Sequence, residues 1–350
     1  MQAPELGEHK GMQPLNLPVH SSVREISLSV VFSFRNEEES LDLMIPRVRK
    51  VCKEVGFKWA EFVFVNDCST DRSLEILLRE QKIGNDIVIV NTSRRFGVSE
   101  CVMAGMQESR GDYVVYMDTD LQDPPELIRE MIQLMIKEQA DVVFTTRRTR
   151  QGETWIKLKV TQFGYWVLKS FSSIEIPYNS GDFKMLSRRV VEQVLQMKEH
   201  KPFMRGLVTW VGFKQAQLFY DRDPRAAGET HFPIFSKRVL YNFIDSAMIS
   251  FSDAPLKAAL FLGMLVIAGS VGMFAWIIFQ KAIGWALPGW SAVMATILVL
   301  GGIQLFLIGV VGLYIHTIYL QVKARPLYIV DRVYRPDTGA AEVGARKVIG

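Results

Sequence analysis

Short apolar runs alternate with longer amphipathic stretches over the first 150 residues of this 350-residue chain. Residues 27–34 (SLSVVFSF) are apolar and β-branched, and residues 37–55 carry apolar positions at helical spacing. The runs 61–66 (EFVFVN), 86–91 (DIVIVN), 112–117 (DYVVYM) and 140–145 (ADVVFT) read as buried strands. Residues 71–82 and 98–109 read as helices, with Gly111 standing where a helix-ending glycine is expected. Pro124 and Pro125 open a further helix, as proline does in a first turn. Strands alternating with helices predict an α/β fold, a mostly parallel sheet with helices on both faces. Such sheets bind ligands at the carboxyl ends of their strands.

After Arg150 the pattern changes. Residues 155–171 and 187–198 read as helices, and 210–220 as strand-rich. Residues 234–251 mix Lys237, Arg238 and Asp245 with Phe, Tyr, Leu and Ile, which suits a helix lying in a membrane interface. Charge then disappears: neither 258–280 nor 282–322 contains Asp, Glu, Lys or Arg. Each exceeds the roughly 20 residues needed to cross a bilayer, and the second span is placed at 292–314. Lys281 alone lies between them, whereas Lys323, Arg325, Arg332 and Arg335 follow the second. The positive-inside rule then puts both chain ends in the cytoplasm. The resulting domains are a flexible tail (1–25), a catalytic domain (26–230), interfacial helices (231–256), a two-helix transmembrane anchor (257–322) and a C-terminal tail (323–350).

Composition narrows the classes. Hydrophobic residues make up 49% and charged residues 22%, which excludes global disorder. Three cysteines argue against a disulfide scaffold or a zinc site. The net charge of +4 suits an anionic bilayer as well as nucleic acid. Arg147, Arg148 and Arg150 form one short cluster rather than a basic face, so no nucleic-acid partner is expected.

The chemistry sits at the strand ends. Asp118-Thr119-Asp120 follows the fourth strand and runs into Leu121-Gln122-Asp123-Pro124-Pro125. Two carboxylates at i and i+2, with the Gln122 oxygen, can share Mg²⁺ or Mn²⁺ and leave positions for phosphate oxygens. A solvated acidic turn would read the same way. Asp67, just past the second strand, is placed to accept hydrogen bonds from a base edge, while Asp71 suits a helix cap. Asn36 and Glu37 fall where a ribose or base would lie, with a plain N-cap as the alternative for Asn36. Arg94 and Arg95, past the third strand, either face phosphates or lie in a solvated loop.

In combination these loops resemble the family 2 glycosyltransferases of the GT-A fold. The run 118–125 (DTDLQDPP), then 179–188 (NSGDFKMLSR), then 225–230 (RAAGET), then two spans, is similar to the polyprenyl-phosphate glycosyltransferases. The resemblance covers roughly residues 27–336. It implies that Asp67 holds the base of a nucleotide sugar, with a UDP-sugar as donor and Asn36 and Glu37 beside it. It implies that Asp118, Asp120 and Gln122 hold the metal on the diphosphate, and that Asp120 and Asp182 serve catalysis, Asp182 near sugar and acceptor. Arg147 matches a residue meeting the acceptor phosphate, and Arg225 a residue of the loop closing over the diphosphates. The implied acceptor is polyprenyl (undecaprenyl) phosphate, the implied location the bacterial inner membrane with the catalytic domain cytoplasmic, and the implied assembly a homo-oligomer, a tetramer. Two departures stand out. Arg35-Asn36-Glu37 replaces Tyr-Asn-Glu, and Asn66-Asp67-Cys68-Ser69 replaces Asp-Asp-Gly-Ser.

Two rivals fit less well. Processive polysaccharide synthases of the same superfamily carry Gln-x-x-Arg-Trp, whereas here Met204-Arg205-Gly206-Leu207 precedes Trp210. A non-enzymatic nucleotide-binding membrane scaffold would not need the metal carboxylates.

Overall fold

The computed structural model describes residues 23–147, 180–199, 202–221, 254–283, 289–336 and 342–343. Four parallel strands form its centre: β1 (Ser27–Phe34), β2 (Trp59–Asn66), β3 (Ile87–Thr92) and β4 (Tyr113–Asp118). They stand in the order β4-β1-β2-β3. The right-handed crossovers are α1 (Glu38–Val55), α2 (Ser73–Gly84) and α3 (Val98–Glu108), with α4 (Leu127–Glu138) leaving β4. Every residue of β1 is buried, as a strand covered on both faces must be. Phe32 and Phe64 stack on the face toward α1 and α4, with ring centroids 4.6 Å apart. Val31, Val63 and Val65 pack on the other face against α3.

The flanks differ from the expected, mostly parallel sheet. β5 (Val142–Arg147), β6 (Ser180–Ser187) and β7 (Gln215–Tyr220) extend the β4 side. The full order is β7-β5-β6-β4-β1-β2-β3, followed by β8 (Val330–Tyr334) and β9 (Glu342–Val343). β6 is antiparallel to both β4 and β5, and β8 is antiparallel to β3. The sheet is therefore mixed, with a parallel centre. β6 reads weakly because its sequence, SGDFKMLS, places a lysine among its inward positions.

Other expectations are corrected. Residues 204–210 are helical (α6, Met204–Trp210), so only the second half of 210–220 is strand. α5 (Arg188–Gln196) matches the expected helix at 187–198. Gly111 does not cap a helix; α3 closes at Ser109 in extended backbone. Gly111 is required by close approach instead, since a Cβ there would lie 2.5 Å from the Ser29 amide nitrogen. The end of the presumed N-terminal tail is packed, with Val23 buried. The presumed C-terminal tail contributes β8 to the sheet. Arg335 then donates to Glu108 at the end of α3, and is a structural ion-pair partner rather than a membrane-facing charge.

Two long helices precede β8: α7 (Ala254–Ala282) and α8 (Trp290–Val322). Among the described residues one stretch, Val299–Val322, is long and apolar enough to cross a membrane, and it lies further along the chain than the expected 292–314. The apolar stretch in α7, Phe261–Met273, is shorter. The helix expected at 155–171 and most of the interfacial segment lie outside the described residues.

Candidate active site

The order of the central strands reverses between β1 and β4, and their carboxyl ends open a crevice there. Six non-glycine residues have positive φ among those described. Asn85 and Gln139 close α2 and α4, and Ala324 follows α8. The other three, Asn36, Cys68 and Leu121, follow β1, β2 and β4. Each such conformation costs roughly 1 kcal/mol, and clustering at strand ends marks a site built for something besides stability.

The β1 and β2 ends are laced together. The Asn36 amide donates to Ser69 Oγ (3.0 Å), and Asn36 Oδ1 accepts from the Thr70 amide (2.8 Å). Asn36 is thus a brace between loops and not a helix cap. The cap role falls to Asp71, whose carboxylate accepts from the amides of Ser73 (3.1 Å) and Glu38 (3.1 Å), serving α2 and α1 together. Glu37 accepts from Ser40 Oγ (2.7 Å). Asn66, the departure from the usual aspartate, accepts from the Ser69 amide (2.9 Å) and donates to Asn91 (2.8 Å).

Asp67 is buried, with 6% of its surface exposed. Its carboxylate accepts from the Phe96 amide (2.7 Å) and the Gly97 amide (3.2 Å). Gly97, at φ 135, reaches a backbone region closed to other residues, and it brings both amides to one carboxylate at the N-terminus of α3. Arg94 stacks on Phe96, 4.2 Å from the ring centroid. Sequence reading found these residues but not the bond that joins them.

The β4 end follows a simple alternation. Thr119, Leu121 and Asp123 are buried, whereas Asp118, Asp120 and Gln122 are partly exposed. Three oxygen-bearing side chains therefore share the open side of the loop. Asp120 Oδ1 accepts from the Gln122 amide (3.2 Å), which fixes the turn between them. Among the described residues no three His, Cys, Asp or Glu side chains gather into a cluster. Two carboxylates and one amide fit a hard divalent cation that takes its remaining ligands from phosphate and water.

Asp182 reaches the same place from β6. The β4–β6 register pairs Tyr116 with Lys184. Asp182 lies two residues beyond the last β6 position paired with β4, toward the end of the strand where the β4 loop begins. Arg205, from α6, clamps Asp182: Nε donates to Oδ1 (2.8 Å) and a terminal nitrogen to Oδ2 (2.6 Å). Behind this pair Lys184 is 2% exposed, and burial pushes its ammonium down to about 8, against the pull of Asp182. The buried Tyr116 hydroxyl meets no hydrogen-bond partner among the described residues, and burial raises its pKa well above the usual value. Sequence reading missed Arg205, Lys184 and Tyr116 as site residues. The signal available was a lone arginine in an otherwise apolar helix. Arg147 ends β5, and its side chain lies outside what the structure describes; Arg225 lies wholly outside the described residues.

The chain belongs to the family 2 glycosyltransferases and is a glycosyltransferase enzyme: the family model, described as Glycosyl transferase family 2, matches residues 29–195. An uncharacterized glycosyltransferase of Synechocystis sp. is 38% identical over 310 residues, covering 88% of this chain and 96% of its own. An uncharacterized glycosyltransferase of Bacillus subtilis is 40% identical over 312 residues, covering 89% and 95%. A protein described as a prophage bactoprenol glucosyl transferase homolog, from Escherichia coli, is 34% identical over 310 residues, covering 88% and 99%.

Proposed function

We propose that this enzyme moves a sugar from a nucleotide-sugar donor, a UDP-sugar, to polyprenyl phosphate. The observation that supports the reading is the alternation in the loop after β4, which leaves Asp118, Asp120 and Gln122 on its open side while Thr119, Leu121 and Asp123 are buried. The likeness to bactoprenol glucosyl transferases supports the acceptor. Asn36, Glu37 and Asp67 hold the nucleoside end, and Arg225 the diphosphate. Asp118, Asp120 and Gln122 would hold Mg²⁺ or Mn²⁺, which supplies positive charge against the leaving diphosphate.

The reaction is one in-line displacement with inversion. An oxygen of the lipid phosphate, held by Arg147, attacks the anomeric carbon. The bond from that carbon to the diphosphate breaks, and the nucleoside diphosphate leaves with the electron pair. The attacking oxygen is already anionic, so no proton has to be removed from it. Asp182 accordingly serves to position groups, and both its oxygens are committed to Arg205. A carboxylate there also favours the positive charge that develops on the sugar ring. α7 and α8 act as two membrane spans, with the catalytic domain and both chain ends cytoplasmic, which keeps the site at headgroup height.

The test uses the full chain in detergent with undecaprenyl phosphate and a panel of radiolabelled nucleotide sugars. A labelled lipid product from one sugar is expected. Asp118→Ala and Asp182→Ala should each lower its formation by at least about a hundredfold. Full activity in both variants, or no product from any sugar, would sink the reading.

A further inference from the structure

The loop after β4 carries a backbone cost at its centre. Leu121 has φ 60, a region unfavourable for a branched side chain. Its side chain is nevertheless buried in the core beneath α4. Two residues later Asp123 is 2% exposed, although carboxylates avoid such burial unless partnered. Its partner comes from far along the chain. The Tyr220 hydroxyl, 4% exposed, donates to Asp123 Oδ1.

Tyr220 is the last residue of β7, the edge strand, in register with Arg147 on β5. The bond therefore fastens the metal loop to the far flank of the sheet. Leu121 and Asp123 point inward, and Asp118, Asp120 and Gln122 point outward. Whatever fixes the inward set fixes the outward one, because a loop that relaxed Leu121 out of its left-handed conformation would turn the alternation over. We propose that Tyr220 and Asp123 form a clasp that holds the strained D-x-D-x-Q turn in its ligand-ready form. They are positioning residues that act through Asp118, Asp120 and Gln122. The inference rests on the metal-and-diphosphate reading of that loop, and deepens it.

The test measures binding of Mn²⁺ with UDP to the full-length protein in detergent, by electron paramagnetic resonance of free Mn²⁺, alongside thermal unfolding. Four variants are compared: Tyr220→Phe, Asp123→Asn, their double, and Asp118→Ala. Asp123→Asn preserves shape should Tyr220→Phe fold poorly. Each single clasp variant should bind Mn²⁺ about tenfold more weakly while still folded, since a hydrogen bond to a charged group is lost. The double variant should be no weaker than either single one. A purely structural bond would lower the melting temperature and leave the affinity of the folded protein alone. Folded clasp variants binding within twofold of wild type, while Asp118→Ala binds nothing, would overturn the clasp and spare the metal reading. Binding in Asp118→Ala equal to wild type would overturn the metal reading and the clasp with it.

Discussion

The two halves of the crevice are built differently. On the β1–β2–β3 side the loops are tied mainly by side chains that grip backbone amides: Asn36 on Thr70, Asn66 on Ser69, Asp71 on Ser73 and Glu38, Asp67 on Phe96 and Gly97. On the β4–β6 side they are tied by side chains gripping side chains, Arg205 on Asp182 and Tyr220 on Asp123, across 23 and 97 positions of sequence. Backbone amides are fixed in number and direction, so these loops, proposed above to hold the nucleoside, are stiff whether or not a ligand is present. The other half rests on the buried Tyr220–Asp123 clasp and on the Arg205–Asp182 ion pair, which is about a third exposed and is the part open to rearrangement. The β1–β3 half is held throughout, and the β4–β6 half is held at its clasp and adjustable at its ion pair.

The sharpest way to break this contrast is Arg205→Ala. It removes the fork that orients Asp182 beside the buried Lys184, and kcat should fall on the order of a hundredfold with little change in donor KM. The melting temperature should drop only slightly, because partly exposed ion pairs contribute about 1 kcal/mol or less. Arg205→Lys cannot reproduce the fork and should recover only part of the rate. Steady-state kinetics with separate donor and acceptor titrations check this; an unchanged kcat counts against the adjustable half. Asp67→Asn probes the stiff half. Its amide turns a donor toward the Phe96 or Gly97 amide, so donor KM should rise about tenfold while kcat holds. Equal falls in kcat for both variants would erase the distinction.

The smallest effect concerns stability. The Lys184 ammonium is pushed down to about 8 from its ordinary 10.5 by burial, with Asp182 opposing and Arg205 adding to the shift. A depressed lysine pKa means the unfolded chain binds more protons between those values, so stability rises with pH across that window. The cost of burying the charge is full below about pH 8 and gone above about 10.5. Lys184→Met removes the titrating group. Its melting temperature should exceed that of wild type at pH 7, and the gap should narrow from about pH 8 and close above about pH 10.5. A constant gap would mean that the lysine is not held in this way.

Legibility in the sequence followed locality. DTDLQDPP was readable as a strand-end loop because its carboxylates, its strand and its helix start occupy one short stretch. The clamp on Asp182 was not, because Arg205 lies in another element and only the packing of α6 brings it close. β6 escaped notice because a strand inserted between two others normally carries apolar residues on both faces, and here Lys184 takes an inward position. β8 escaped because VDRVY, with two charges in five residues, looks like a solvated tail; its ladder to β3 is backbone, which no side-chain pattern reveals. Gly111 misled because a glycine after a helix has two uses, and only the approach of Ser29 distinguishes them.

The return of the chain from α8 into the sheet has a mechanical consequence. The Ser93 amide donates to the Ile329 carbonyl (3.0 Å), and β8 begins one residue later on the open edge of β3. The linker from Val322 to Val330 can extend at most about 28 Å even when straight. On the proposed placement of α8 in a bilayer, the loops that follow β3 are on a short leash, and the crevice stays within reach of a phosphate at the lipid surface. The leash acts as a ruler: lengthening it would dilute the effective concentration of acceptor at the site without touching a single residue there.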